Sequence, residues 1–362
     1  MNKIVVGLGF GDEGKGLTTS FLSENSSPNS IVVRHNGGQQ AGHTVVYKGR
    51  QHIFSQLGAG TLQGLPTYFT KECTFYPSSF LREYKMLSDL APRVILNPLT
   101  MITLPIDIDI NRGLEDNKGE KRHGSVGMGF GTTVHRNQNH YTLYAQDLFY
   151  PKILEAKLRS IYINWYGTNP DFKELKEDII KFLDDVKKVL KLVEIVDLES
   201  ISKHFDDVIF ETAQGVLLDQ YHGFFPNVTR SNTTSKNALG YCYGPTEIYY
   251  VTRTYQTRHG AGFMTNEEDI PVLVNNENET NKSHKYQGEF RIARLDTELL
   301  KFAIQSDNNY SKNCKKNLVI TCNDQLAIDW ARVVQDLTEG TDEFDKVFLS
   351  YGPSLDNIKQ VI

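Results

Sequence analysis

The apolar run Ile4-Val5-Val6 passes directly into GLGFGDEGKG, residues 7–16. A buried strand that breaks into glycines and then meets a lysine asks for a strand, a tight loop and a helix, in that order. The run Lys3–Gly7 has counterparts along the chain at Ser30–Arg34, Arg93–Asn97, Asp207–Glu211, Glu247–Arg253, Asn317–Cys322 and Lys346–Ser350. Several lack polar alternation, as strands covered on both faces do. Helical patterns lie between them. Asn169-Pro170-Asp171 opens one with a cap-like residue and an early proline, and Leu175, Ile179, Phe182, Val186, Val189 and Val193 continue it as one buried stripe. This alternation predicts an α/β fold with a mostly parallel central sheet, helices on both faces and a P-loop-like N-terminal strand-loop-helix. No solenoid repeat or Pro/Ser-rich linker divides the chain, so residues 1–362 read as a single elaborated domain. The polar stretch 274–286, VNNENETNKSHKY, reads as a surface loop.

Composition narrows the function classes. The net charge of −5 is spread along the chain, with no basic stripe for nucleic acid. No window approaches the roughly 18 apolar residues of a membrane span. Four scattered cysteines without a C-x-x-C read as free thiols in a reducing compartment. The start MNKIVVGLGF is too short and glycine-broken for a secretory signal. The expectation is a cytoplasmic protein.

The first glycine loop poses a chemical question. Its lysine, Lys15, is followed by Gly16, where a P-loop carries a Mg²⁺-binding Ser or Thr, and two acids, Asp12 and Glu13, sit inside it. A carboxylate beside phosphates is repelled unless it binds a metal or takes a proton, so Asp12 is read as a Mg²⁺ ligand or a general base. A second glycine cluster, RHNGGQQAGHTVV (34–46), presents His43 between Gly42 and Thr44, open enough to donate a proton or steady an oxyanion. A third, HGSVGMGFGTT (123–133), suits close backbone approach to a ligand but does not clearly open a helix. A fourth, FETAQGVLLDQYHGFFPNVTRSNTT (210–234), starts at a strand end and offers Gln214 and Thr229 as uncharged hydrogen-bonders.

Together, GFGDEGKG, GGQQAGHTVV, GSVGMGFG, ETAQGVLLDQYHGFFPNVTRSNT, TYQTRHGAGF and LSYGP resemble the adenylosuccinate synthetase family, in the family's order and over nearly the whole chain. The resemblance implies a trimmed ligase that joins L-aspartate to IMP with GTP and Mg²⁺, through a 6-phosphoryl intermediate. It makes Asp12 the base at purine N1 and a Mg²⁺ ligand, and His43 the acid at the transferring phosphoryl. Glu13, Gly14, Lys15, Gly16 and Thr44 fall with the GTP phosphates, and the Gly42 carbonyl with Mg²⁺. Gln40, Ser125, Val126, Gln214 and Thr229 fall with the purine nucleotide. Gly288, Arg291 and Arg294, in KYQGEFRIARLD, fall on the aspartate loop. Asp324 falls on the guanine reader, with Gly352 and Pro353 closing on that base. Arg258 matches a family arginine. The family is homodimeric, and Arg136 is the nearest match to the arginine that reaches the partner's nucleotide.

Some positions depart from the family. Cys322 replaces a lysine that lies against guanine, Gln40 an Asn, and Val126 a Thr that holds the nucleotide phosphate. Met128 and Thr132 stand where Arg and Pro are usual, and the aspartate loop lacks a dense arginine run. These changes admit ATP or dATP as donor. They also admit dGMP as acceptor, as in phage relatives that make a succino precursor of 2-aminoadenine. Those relatives often carry a small residue at the base position, so the retained Asp12 favours IMP. A regulatory protein that kept the pocket and lost the chemistry is the competing class. Retention of Asp12, Lys15 and His43 speaks against it.

Overall fold

The computed structural model describes residues 1–119, 124–168, 173–198, 201–277, 279–283, 285–339 and 343–362. At its centre is a ten-stranded sheet. In chain order the strands are β1 (Asn2–Gly7), β2 (Ser30–Arg34), β3 (Thr67–Phe69), β4 (Val94–Leu96), β5 (Val193–Ile195), β6 (Asp207–Gly215), β7 (Thr246–Arg253), β8 (Lys315–Thr321), β9 (Lys346–Ser350) and β10 (Ile358–Gln360). Their spatial order is β10-β9-β8-β7-β1-β6-β2-β3-β4-β5. All neighbours pair in parallel except β10, which is antiparallel to β9.

The strands form because both of their faces are covered. Ile4 and Val6 join Phe210, Ile248 and Ile320 in the core on one side of the sheet. Val5 joins Val32, Ile209 and Val319 on the other. Each such fully buried aliphatic side chain contributes roughly 1.5–3 kcal/mol relative to exposure. The amphipathic helix Lys173–Val189 packs its apolar stripe, including Phe182, Val186 and Val189, into the cluster that holds Phe80 and Phe69. Val193 does not continue that stripe; it begins β5 after a turn at residues 190–192. The helix opening expected at Asn169-Pro170-Asp171 lies outside the described residues, as does His123.

The third glycine cluster does open a helix. Gly129, at φ 81°, caps the helix Phe130–Gln138. All four cysteines are free thiols. Among the described residues no helix is long and apolar enough to cross a membrane.

Parallel pairing brings the C-terminal ends of β1, β2, β6 and β7 to one edge, where α/β sheets collect ligand groups. Between β1 and β6 the register runs Val5↔Glu211, then Gly7↔Gly215, so β6 bulges where Glu211 and Gln214 lie. Gln214 takes a left-handed backbone there, at φ 66°.

Candidate active site

Beyond these strand ends lies a cavity of about 420 Å³. Its walls include Asp12, Gly14, Lys15, Gly16, Gln40, Gly42, His43 and Thr44 from the first two glycine loops. Ser125, Val126, Gln214 and Thr229 come from the third and fourth. Segments separated by up to about two hundred residues thus meet around one space.

The loop 11–13 is gripped from outside. Thr257 Oγ1 donates to the Gly11 carbonyl at 3.0 Å, Arg253 Nε to the Asp12 carbonyl at 2.6 Å and Thr321 Oγ1 to the Glu13 carbonyl at 2.7 Å. This grip holds Asp12 in a left-handed backbone, φ 62°, which costs a non-glycine residue on the order of 1–2 kcal/mol. The helix Lys15–Glu24 then starts at the loop's end, and the amides of its first turn have no intrahelical acceptor. That is an anion cradle of the kind the sequence predicted.

The Glu13 side chain turns away from that cradle. Its carboxylate is buried beneath the loop, where it accepts from the amides of Gly9 (3.0 Å) and Gly11 (2.8 Å) and pairs with the Lys15 ammonium. The reason is electrostatic: an acid facing phosphates would repel them, whereas an acid below the loop stiffens the turn and holds the lysine. Gly16 also has a steric cause. A Cβ at this position would lie 2.8 Å from His43 Cβ, so the Ser or Thr of a P-loop has no room beside the histidine.

His43 starts the hairpin His43–Tyr47/Arg50–Phe54. Its Nδ1 is 2.5 Å from Glu211 Oε1. Glu211 is fully buried, and its other oxygen accepts from the Ala59 amide at 3.1 Å. Burial alone would raise the Glu211 carboxyl, but the His43 hydrogen bond and the His43 and Arg34 charges outweigh it and hold it below its ordinary range. Burial pushes His43 down, with Glu211 opposing. An ionised Glu211 fixes the imidazole proton on Nδ1 and leaves Nε2 to serve the cavity. Negative charge entering the cavity favours a second proton, on Nε2, and with it the ring becomes an acid.

Burial raises Asp12, against the opposing charges of His259, Arg253 and Lys15. Its Oδ2 lies 3.3 Å from His259 Nε2. Asp12 and Gly42 both line the cavity, and a carboxylate with a backbone carbonyl would suit Mg²⁺: that ion takes few protein ligands and completes its shell with phosphate and water. Among the described residues no group of three or more His, Cys, Asp or Glu side chains gathers as a metal cage.

Several expected residues lie elsewhere. Arg136 is not offered at the surface of this chain, where a residue crossing to a partner would have to lie. Its guanidinium is fully buried, pairs with Asp107 at 2.9 Å and donates to the carbonyls of Tyr141 and Ile102. Arg291 pairs with Glu267, and Arg294 Nε lies 2.6 Å from Asp269, so neither offers a free cation to the cavity. Gly288, Asp324, Gly352 and Pro353 are also absent from its walls.

Other wall residues were not singled out from sequence: Arg253, His259, Asn227 and Arg230. Arg258 is there too, its guanidinium 4.3 Å from the Phe10 ring centroid. It donates to the carbonyls of Phe263 and Asn227, and among the described residues no carboxylate pairs with it. Burial and the nearby Arg291 charge lower it to about 10. The buried amide atoms of Gln40, Nε2 and Oε1, and Gln214 Oε1 have no hydrogen-bond partner, which marks a wall built for a polar ligand.

The adenylosuccinate synthetase family's sequence profile matches residues 4–339. The chain belongs to the adenylosuccinate synthetase family. It is 30% identical over 279 residues to adenylosuccinate synthetase 1 of Pseudoalteromonas translucida, covering 72% of this chain and 63% of that protein. It is 32% identical over 290 residues to adenylosuccinate synthetase of Alkalilimnicola ehrlichii, covering 74% of this chain and 65% of the relative. The matched segment thus spans somewhat less than two thirds of either relative's length. Two solved structures share the fold. Fully ligated adenylosuccinate synthetase from Plasmodium falciparum superposes with a TM-score of 0.80 at 18% identity, covering 98% of both chains. The cyanophage S-2L succinoaminodeoxyadenylate synthetase, bound to dGMP and dATP, superposes with a TM-score of 0.68 at 17% identity, covering 99% of this chain and 94% of that one.

Proposed function

We propose that this family member is a C–N ligase that joins L-aspartate to C6 of a 6-oxopurine 5′-nucleotide, with IMP as acceptor and GTP as donor. The observation that carries the reading is the convergence, in one cavity, of the Asp12 carboxylate, the Glu211-held His43 and the helix N-terminus behind Lys15. In this reading Asp12 takes the N1 proton, which turns the 6-oxygen into a nucleophile toward the γ-phosphoryl. His43 donates from Nε2 to the phosphoryl oxygen, and the amides of residues 12–16 with Lys15 hold the donor phosphates. The aspartate amine then displaces the 6-phosphoryl group, so an amide-like oxygen leaves as phosphate and a C–N bond forms. Mg²⁺, held by Asp12 and the Gly42 carbonyl, supplies charge neutralisation at the phosphates when bound. Arg258, a cation of the cavity wall without a carboxylate partner among the described residues, suits a carboxylate of the aspartate better than Arg291 or Arg294, which acids already hold. A homodimer and a cytoplasmic setting complete the proposal, with Arg136 excluded as the crossing arginine.

One observation favours a second substrate pair, dGMP with ATP or dATP. Cys322, in a left-handed turn at φ 63° beside Arg253 and Tyr255, is a short thiol at the position where the family resemblance implies a lysine against guanine, which favours a donor other than GTP. The fold is also shared with the cyanophage enzyme named for dGMP and dATP. The experiment is a panel of IMP or dGMP with GTP, ATP or dATP, plus aspartate, read by phosphate release and product mass. Release that requires both acceptor and aspartate supports the ligase. Release independent of either ends it.

A further inference from the structure

Asp12 is fixed at two points, and the second point has no part in the reaction outlined above. The backbone point is Arg253 Nε on the Asp12 carbonyl, at 2.6 Å. The side-chain point is His259, whose Nε2 faces Asp12 Oδ2 at 3.3 Å. His259 ends the strand Tyr255–His259, paired with Phe290 across the antiparallel ladder. Its ring lies against the Phe290 ring, with centroids 4.9 Å apart and planes tilted by 45°. The imidazole therefore rests on a rigid ribbon.

The tautomer follows from the partners. Nδ1 of His259 is buried with no hydrogen-bond partner. A buried N–H without an acceptor costs about 1–3 kcal/mol, whereas Nε2 has a carboxylate before it. A ring with one proton carries it on Nε2, so that the N–H side faces Oδ2 at 3.3 Å as a close electrostatic contact, not a formed hydrogen bond. No side-chain hydrogen bond to the Asp12 carboxylate is formed among the described residues, so its rotamer rests on this 3.3 Å contact and on the open cavity.

We propose that His259 is a positioning residue: its contact selects the one rotamer of Asp12 that points the carboxylate into the cavity. The inference rests on the reading of Asp12 as the base, and its tests separate the two. The first test is structural and independent of turnover. Crystal structures of the wild type and of His259→Val are compared at a resolution that resolves the Asp12 conformers. The expected result is one Asp12 conformer, pointing into the cavity, in the wild type, and a turned or multiple conformer in the variant. An Asp12 side chain unchanged in His259→Val overturns the proposal, whatever the activity.

The second test is kinetic. His259→Val is expected to lower kcat by about tenfold, with KM for nucleotide and for aspartate within about twofold, since lost orientation acts on the reacting geometry. His259→Gln, which keeps an N–H donor on a flexible arm, is expected to recover part of that loss. Matching falls in kcat and thermal stability in both variants, without the KM split, would show a purely structural histidine and overturn the assignment. A wild type that ligates no 6-oxopurine nucleotide defeats the function proposed for Asp12, while the conformer comparison still decides the role of His259.

Discussion

His43 Nδ1 meets Glu211 Oε1 at 2.5 Å in a part of the molecule where Glu211 has no contact with solvent. The pair fixes which nitrogen of His43 faces the cavity. Glu211→Gln keeps the size but removes the charge that orients the ring and favours its second proton. Expected is a fall in kcat of about 100-fold, the scale of general-acid assistance, with nucleotide KM little changed. Steady-state phosphate release measures both.

Asp12→Asn removes the base and keeps the shape. Turnover is expected to drop at least about 1,000-fold. Nucleotide affinity, measured by calorimetry, is expected to stay within a few-fold, because the amide cradle is backbone. A variant with near-normal rate would take Asp12 out of the chemistry.

Gly16→Ser restores the hydroxyl of an ordinary P-loop at this position. The new Cβ would lie 2.8 Å from His43 Cβ, so either the helix start or the histidine must move. We expect a loss of about 1–3 kcal/mol in stability, as for overpacking, together with loss of turnover. Chemical denaturation and the release assay report the two effects separately.

Arg136→Met tests the correction made above. Removing one member of a fully buried ion pair strands Asp107, which typically costs about 3–5 kcal/mol. The expected outcome is a large drop in melting temperature. Nucleotide KM in the folded fraction is expected to be unchanged, because the side chain is buried against Asp107 and lines no wall of the cavity.

Asp207 gives the sign of one pH effect. It accepts from the Ser27 amide at 2.9 Å and pairs with Lys3 at 3.3 Å. Partial burial works to raise it, but the Ser27 amide and the Lys3 charge prevail and hold it below its ordinary 3.8. A carboxyl lowered by folding adds stability above its unfolded value, and that stability is lost as pH falls through the folded one. Asp207→Asn is expected to destabilise by about 1 kcal/mol at neutral pH, and the gap to wild type should narrow as pH falls below the ordinary 3.8 of the carboxyl. Denaturation curves from pH 7 to pH 2.5 check it.

Much of the fold is legible in the sequence because its strands are covered on both faces. Each of the seven expected apolar runs lies in the central sheet. The short strands β3, β5 and β10 escaped notice because three residues leave too little pattern to read. The first glycine loop and the His43 loop are legible as loops that line one cavity, since glycine density reflects backbone demands that sequence records directly. Ion pairing is not recorded there. Arg291 and Arg136 look like ligand-binding arginines in the linear chain, and only folding brings Glu267 to one and Asp107 to the other. The burial of the Glu13 carboxylate goes unread for the same reason: the direction in which a loop carboxylate points depends on backbone torsions. His259 sat inside a recognised motif, but nothing local tells that its ring faces residue 12.

The grip on the nucleotide loop has a consequence for how the protein is made. The carbonyls of residues 11, 12 and 13 are caught by Thr257, Arg253 and Thr321. A ribosome that has delivered the first two hundred residues has exposed the whole glycine signature but none of those three hands. A truncated or half-synthesised chain should therefore carry a recognisable motif with no affinity for nucleotide. Competence would arrive late in translation, when the last of these residues closes on a loop that emerged at the beginning.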